Sequence, residues 1–255
     1  QYQNSSNISA RIRLHSLYSR NKQGWFPWLF EQCNIKEGMK ILEIGCGSGA
    51  LWAENRDKLP QNISVTLSDI SEGMLRDAKR EIGVNDQRFS FRAFDCHQIP
   101  YPNHSFDLVI ANHVLFYCNI PKVCAEVQRV LKPGGIFLCS TYGSAHMKEI
   151  SSLVQEFDSR IILSGEKLYE KFGKENGEEL LSPYFSRITW RLYEDSLEVD
   201  APEPLIEYIL SCHGNQNQYL LDRYKEFRSF VARKTKTTFQ ITKEAGIFLC
   251  KTRAF

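Results

Sequence analysis

The chain has 255 residues, 42% of them hydrophobic and 24% charged, with 32 Lys and Arg against 30 Asp and Glu for a formal net charge of +2. A chain of that length buries roughly 70–75% of its unfolded surface, so its core needs no disulfides. The near-neutral balance, with no dense Lys/Arg run, excludes a dedicated phosphate-tracking nucleic-acid binder and points to small partners. No stretch approaches the ~20 consecutive apolar residues of a membrane span, and the polar start Gln1-Tyr2-Gln3-Asn4-Ser5 argues against a signal peptide. The eight cysteines include no Cys-x-x-Cys pair, and Cys46, Cys118, Cys124, Cys139 and Cys250 stand inside apolar elements. That usage fits buried free thiols in a reducing, cytoplasmic compartment, with no zinc site expected.

Residues 4 to 33 carry apolar positions at helical spacing: Ile8, Ile12, Leu14, Leu17 and Tyr18, then Trp25, Trp28, Leu29 and Phe30. Two amphipathic helices separated by a loop at Ser19–Gly24 account for them. The apolar run Lys40-Ile41-Leu42-Glu43-Ile44 then reads as a strand buried on both faces. It enters the loop Gly45-Cys46-Gly47-Ser48-Gly49, whose glycines at alternate positions let the backbone turn sharply and a ligand approach its N–H groups. Leu51 and Trp52 begin a helix whose first N–H groups face the same ligand. Gly45, Gly47 and Ala50 also satisfy the looser dinucleotide spacing, so the loop alone leaves a pyrophosphate ligand open. Glu43, two residues before the first glycine, would repel a pyrophosphate.

The pattern apolar-Glu-x-Gly-x-Gly-x-Gly resembles motif I of the class I S-adenosylmethionine-dependent methyltransferases. The resemblance implies that the loop holds the methionine half of the cofactor, where an acid is tolerated near the ammonium group. Glu43, Gly45, Cys46, Gly47 and Gly49 are then cofactor-binding candidates. A lid formed by the N-terminal helices would bring Tyr18 and Trp25 to the cleft, their aromatic faces suiting a sulfonium cation.

A second strand, Ile63 to Leu67, ends in Ser68-Asp69, twenty residues after Gly49. An acid at that distance and at a strand's carboxyl end accepts ribose hydroxyls. Ser71 is the better cap for the helix that follows, which frees Asp69 for the sugar; Ile70 and Met74 flank it in the cofactor set. The third strand, Phe89 to Ala93, leads to Asp95-Cys96-His97. By the resemblance Asp95 accepts from the adenine amino group, the N–H of Cys96 meets a ring nitrogen, and His97 lines the pocket.

Ser105-Phe106-Asp107-Leu108-Val109-Ile110-Ala111-Asn112-His113 resembles the family's fourth strand, whose end lies beside the first at the topological switch point. Asn112 and His113 are therefore expected to face the transferred methyl and the acceptor. Related small-molecule enzymes often carry a histidine near the position of Tyr117; this chain departs from them there, leaving His113 first and Tyr117 second as catalytic candidates. A helix over Cys124–Leu131 meets Leu131-Lys132-Pro133-Gly134-Gly135, familiar in the same family, where Gly134 supplies a positive dihedral and a fifth strand starts. The chain lacks the Asn-Pro-Pro-aromatic motif of adenine-N6 and glutamine methyltransferases.

Beyond residue 142 only patterning remains. It predicts a helix over Met147–Leu163, a strand within Pro183–Glu194, helices over 201–210 and 219–232, and a closing strand pair over Phe239–Cys250 with the last strand antiparallel beside the fifth. The expected fold is α/β: a Rossmann-like, seven-stranded, mostly parallel sheet with an antiparallel C-terminal strand, helices on both faces, and a helical lid. One domain is expected over 1–255: lid at 1–36, cofactor core at 37–142, and a C-terminal half with a lid insertion near 195–237. The function implied is methyl transfer to an oxygen, nitrogen or carbon of a small, partly apolar acceptor, as in quinone-pathway enzymes. A non-catalytic binder of the same cofactor, a nicotinamide-dependent reductase, or transfer of another group from that cofactor are the alternatives.

Overall fold

The computed structural model describes residues 5–83 and 85–252, so the polar reading of Gln1–Asn4 lies outside the described residues, as does the side chain of Ile8. In chain order the elements are α1 (Ser5–Tyr18), α2 (Trp25–Gln32), β1 (Lys40–Ile44), α3 (Ala50–Ala53), β2 (Ser64–Asp69), α4 (Glu72–Ile82), β3 (Phe89–Ala93), β4 (Phe106–Ala111), α5 (Ile120–Val130) and β5 (Leu131–Tyr142). They continue as α6 (Lys148–Phe157), α7 (Leu168–Lys171), α8 (Gly177–Leu181), β6 (Ser186–Leu192), β7 (Asp195–Val199), α9 (Pro202–Leu210), α10 (Gln216–Leu220), α11 (Tyr224–Lys234), β8 (Phe239–Lys243) and β9 (Ala245–Lys251). Two compact units share them: a sheet unit of residues 23–143, 168–193 and 245–252, and a helical unit of residues 5–22, 144–167 and 194–244.

The sheet unit holds seven strands in the order β3-β2-β1-β4-β5-β9-β6. All pairs from β3 to β5 are parallel, and β9 runs antiparallel between β5 and β6. Side chains alternate across a strand, and in β1, β4, β5 and β9 both alternating sets are largely apolar. Ile41, Leu108, Ile110, Leu138 and Ile247 face a core with Leu29 and Phe30 of α2, Leu51 and Trp52 of α3, and Leu75 and Ile82 of α4. Leu42, Ile44, Val109, Ala111, Phe137, Cys139, Phe248 and Cys250 face the other core, closed by Val123, Cys124 and Val127 of α5 and by Phe172 and Leu181. This is the sheet expected from sequence, with helices on both faces. Glu43 shares the face of Ile41, and that parity sets its surroundings.

In the helical unit β7 and β8 form an antiparallel ribbon. Leu14 of α1, Ile150, Leu153 and Val154 of α6, Leu205, Ile206 and Ile209 of α9, Leu220 of α10, and Phe227 and Val231 of α11 close a separate core on Leu197, Val199 and Ile241 of that ribbon. Among the described residues no helix is long and apolar enough to cross a membrane.

Several boundaries differ from the sequence expectation, each for a local reason. The helix expected over Met147–Leu163 stops at Phe157, because Asp158 is extended (φ −153°) and its carboxylate accepts from the N–H of Arg160 (3.2 Å) and from Arg223 (3.2 Å). Arg223, in turn, leaves the helical region at φ −110° and divides the stretch expected over Tyr219–Ala232 into α10 and α11. The closing strands are not partners of each other: β8 pairs with β7, while Glu244, held by Ala145 N (3.0 Å) and His146 Nδ1 (3.0 Å), separates it from β9. α5 begins at Ile120 rather than Cys124, since Asn119 Oδ1 caps Lys122 N and Pro121 fits the first turn. Gly134 has the expected positive φ (74°), but it lies within β5, as an irregularity between the pairs Phe106–Leu131 and Leu108–Ile136. The two N-terminal helices are divided between the units, α1 in the helical one and α2 in the sheet one.

Candidate active site

The carboxyl ends of β1, β2, β3 and β4 lie side by side, and each delivers a polar group. After Ile44 the chain reverses through Gly45 (φ 65°), Gly47 (φ 54°) and Gly49 (φ 75°). At Gly45 a Cβ would stand 2.5 Å from Val114 Cγ2, so the close passage of β1 by the segment after β4 demands glycine; at Gly47 a Cβ would meet nothing within 4 Å, so that backbone faces open space. Asp69, at the end of β2, accepts from Gly47 N through Oδ2 (3.0 Å) and from Ser71 N through Oδ1 (2.8 Å). One carboxylate thus ties the glycine loop to the start of α4, and Ser71 caps that helix by accepting from Met74 N (3.3 Å), as expected from sequence. Next to Asp69, the side chain of Ile70 is 77% exposed, an apolar surface standing at the strand ends.

Glu43 lies beneath the loop, 2% exposed, its Oε2 accepting from the indole Nε1 of Trp52 (2.6 Å). Burial pushes its carboxyl up to about 8, the Trp52 hydrogen bond opposing and Asp69 adding to the rise. Cys46 is buried in the same place, and that burial raises its thiol. At the end of β3, Asp95 Oδ1 accepts from His97 N (2.9 Å) and lies 2.5 Å from His97 Nδ1; these two contacts hold its carboxyl below the usual range. His97 Nε2 accepts from Asn119 N (2.9 Å), joining this turn to the segment after β4.

At the end of β4, Asn112 Oδ1 accepts from Trp25 Nε1 (3.2 Å) and from Ser140 Oγ (2.7 Å). Because an indole N–H can only donate, it fixes the orientation of the amide, and what Asn112 has left to offer is its NH2. His113 adopts a left-handed conformation (φ 55°), held by its N–H to Ser140 Oγ (2.8 Å). Its ring stacks on Trp25 (5.1 Å, 28°) and stands 6.3 Å from Phe116 and 6.5 Å from Tyr142. Tyr117 is 52% exposed and packs edge-on to Phe116. Burial pushes the Tyr142 hydroxyl up to about 12, with Tyr117 and Tyr169 adding to it.

The sheet unit by itself therefore brings together Gly45, Gly47 and Gly49 with Asp69, Ile70 and Met74, then Asp95, Cys96 and His97, then Asn112, His113 and Tyr117. Tyr18 belongs to the helical unit, where an interaction with Asp200 adds to the effect of burial in raising its hydroxyl. Ser140, Tyr142, Tyr169 and Tyr193, whose ring meets Trp25 edge-on at 5.4 Å, were not read from the sequence as site residues. Ser140 was the detectable one: a buried hydroxyl near the end of an apolar strand, one residue beyond Cys139.

The strand order, mostly parallel with one antiparallel strand, is the Rossmann-like arrangement of the methyltransferases among the solved structures that this chain resembles. Residues 42–139 match the family described as methyltransferase domain. Over 123 residues the chain is 39% identical to a ubiquinone/menaquinone biosynthesis C-methyltransferase (UbiE) of Rickettsia bellii, a match covering 46% of this chain and 48% of that protein. It thus spans about half the length of the curated relatives it matches. A phosphoethanolamine N-methyltransferase of Haemonchus contortus, solved with S-adenosylmethionine, shares the fold at TM-score 0.60 and 19% identity, over 99% of this chain and 58% of that one. The [4+2]-cyclase SpnF shares it at TM-score 0.55 and 17% identity, over 99% and 98%.

Proposed function

We propose that this protein transfers a methyl group from S-adenosylmethionine to an oxygen, nitrogen or carbon nucleophile of a small acceptor. The observation that carries the reading is Asp69, a carboxylate at the end of β2 that also grips the glycine loop and stands between the open face of Gly47 and the exposed Ile70. The donor set fits the cofactor: Asp69 for the ribose hydroxyls, Ile70 for an adenine face, Asp95 and the N–H of Cys96 for the adenine edge, and the loop N–H groups for the carboxylate tail. Bound there, S-adenosylmethionine supplies an electrophilic methyl on a sulfonium.

The chain's own task is then orientation and exclusion of water. Trp25, Phe116 and Tyr142 surround His113 with aromatic surface, and the NH2 of Asn112 offers donors to a carbonyl or hydroxyl oxygen. Both favour a flat, partly apolar acceptor. His113 takes the acceptor's proton when the nucleophile is a hydroxyl or an ammonium, with Tyr117 second in reach of such a role; a neutral amine or an activated carbon needs less help. The eight free cysteines support a reducing, cytoplasmic setting.

A second reading, a reaction without methyl transfer, is suggested by the name of the [4+2]-cyclase that shares the fold. Incubation with S-adenosylmethionine and a panel of phenolic, quinol and amine acceptors, read by mass spectrometry, separates the two: S-adenosylhomocysteine together with an acceptor heavier by one methylene is expected, and intact cofactor with every acceptor overturns methyl transfer. With the acceptor found, Trp25→Phe keeps a ring over His113 but removes the donor to Asn112. Turnover is expected to fall roughly 2- to 10-fold, the value of one hydrogen bond, with S-adenosylhomocysteine affinity unchanged.

A further inference from the structure

Most thiols of the sheet unit are sealed in its cores. Cys33, Cys46, Cys124, Cys139 and Cys250 are buried; Cys96 and Cys118 alone among this unit's described cysteines are partly exposed. They face each other, with Sγ atoms 3.7 Å apart across 22 residues of chain. Two ties hold the segments that carry them. His97, next to Cys96, accepts from the N–H of Asn119, next to Cys118, at 2.9 Å. Cys118 Sγ in turn donates to Val114 O (3.5 Å) within its own segment. With that proton so placed, the hydrogen between the sulfurs comes from Cys96.

We propose that Cys96 and Cys118 are a reversible oxidation site that a peroxide closes to a disulfide, tying the turn after β3 to the segment after β4. The environment divides the two roles. The hydrogen bond from Cys96 lowers the pKa of the Cys118 thiol, while giving that hydrogen bond, followed by burial, raises Cys96. Cys118 is the attacking thiolate. Its sulfur takes one oxygen of hydrogen peroxide as the O–O bond breaks, and the other oxygen leaves as hydroxide and is protonated to water. Cys96 then attacks the sulfenic sulfur of Cys118; the S–O bond breaks, and hydroxide departs with the proton of Cys96 as a second water. Two thiols and one peroxide become one disulfide and two waters, the sulfurs giving up the two electrons that the peroxide accepts. Closure brings the sulfurs from 3.7 Å to a bond of about 2.05 Å, between two loops already joined through His97 and Asn119. By contrast Cys139 and Cys250, also near each other, lie wholly inside the core where peroxide has no access.

The consequence for ligand binding rests on the proposed function, because Cys96 N–H is the group assigned to the adenine ring. Drawing Cys96 toward Cys118 displaces that N–H, so the disulfide form is expected to bind S-adenosylhomocysteine at least ten-fold more weakly. The test uses the full chain, reduced, freed of reductant and exposed to hydrogen peroxide. Remaining thiols are alkylated and peptides are mapped by mass spectrometry. A Cys96–Cys118 cross-link that dithiothreitol reverses is expected, and Cys96→Ser should trap a dimedone-reactive sulfenic acid on Cys118. Peroxide treatment that links other cysteines, or leaves this pair reduced while free cysteine in the same tube is oxidised, overturns the site. Calorimetric titration with S-adenosylhomocysteine before and after oxidation reads the second part, and equal affinities overturn it. Reduced protein that binds no S-adenosylhomocysteine refutes the proposed function instead, while the mapped cross-link stands or falls by itself.

Discussion

The carboxylate of Asp69 accepts from the loop it faces and from the turn that follows it, yet each oxygen keeps a second lone pair for a ribose hydroxyl. Asp69→Ala should weaken S-adenosylhomocysteine by about 1.5–3 kcal/mol, roughly 10- to 150-fold; calorimetry showing wild-type affinity would remove the sugar contact. Glu43 makes a different kind of test. Its folded value of about 8 lies above the ordinary 4.5, so the stability it contributes is fully present below about 4.5 and is lost as pH climbs through about 8. His15, held down at about 4 chiefly by burial, acts in the other window, its contribution present above 6.5 and lost as pH falls. Above pH 6.5 the Glu43 effect stands alone of the two. The melting temperature of the ligand-free protein should fall between pH 6.5 and 8.5, and Glu43→Gln, which keeps an acceptor for Trp52, should flatten that slope. Parallel slopes for the two proteins would mean that Glu43 is already ionised at neutral pH. At this scale the candidate site was legible where its signal is local: the glycine loop, Asp69 and Asp95 stand out as candidates from a few neighbouring residues. Trp25, Asn112 and Ser140 meet from positions 87 and 28 residues apart, and no short pattern carries such a meeting.

Elements were legible where apolar periodicity runs uninterrupted. β1, β4 and β9 carry apolar side chains on both faces and β2 and β3 on one, and their positions follow from that. Boundaries set by side chains distant in sequence were not legible: Asp158 with Arg223 ends one helix and breaks another, and Glu244 parts β8 from β9. One tight junction between elements is the approach of Val114 to Gly45. Gly45→Ala combines a contact of 2.5 Å with a φ of 65°, and is expected to destabilise by roughly 1–3 kcal/mol. Val114→Ala in the same chain removes the clashing methyl but not the backbone strain, so it should restore part of the loss and not all. Chemical denaturation of the two variants measures this; full rescue would show that the dihedral costs nothing there.

Over the whole molecule, three apolar cores are distributed between two units, and each unit is stitched from separated segments. A ligand bound only to the folded chain at about 100 times its dissociation constant adds roughly 2.7 kcal/mol, which for this size raises the melting temperature by some 5–10 °C. S-adenosylmethionine and S-adenosylhomocysteine should produce that shift and NAD should not; the reverse pattern would favour the reductase that the looser glycine spacing left open.

The position of β9 bears on how this chain is made. It fills the slot between β5 and β6, so β6, complete by residue 192, has no neighbour in the sheet until residues 245–251 arrive. During synthesis the ribosome must add more than fifty further residues while two apolar strand margins wait unpaired, the circumstance in which nascent chains recruit chaperones or pair with one another. Stalling translation before Ala245 should therefore yield an aggregation-prone product even though most of the chain has already emerged, whereas release after Lys251 should let the sheet zip shut.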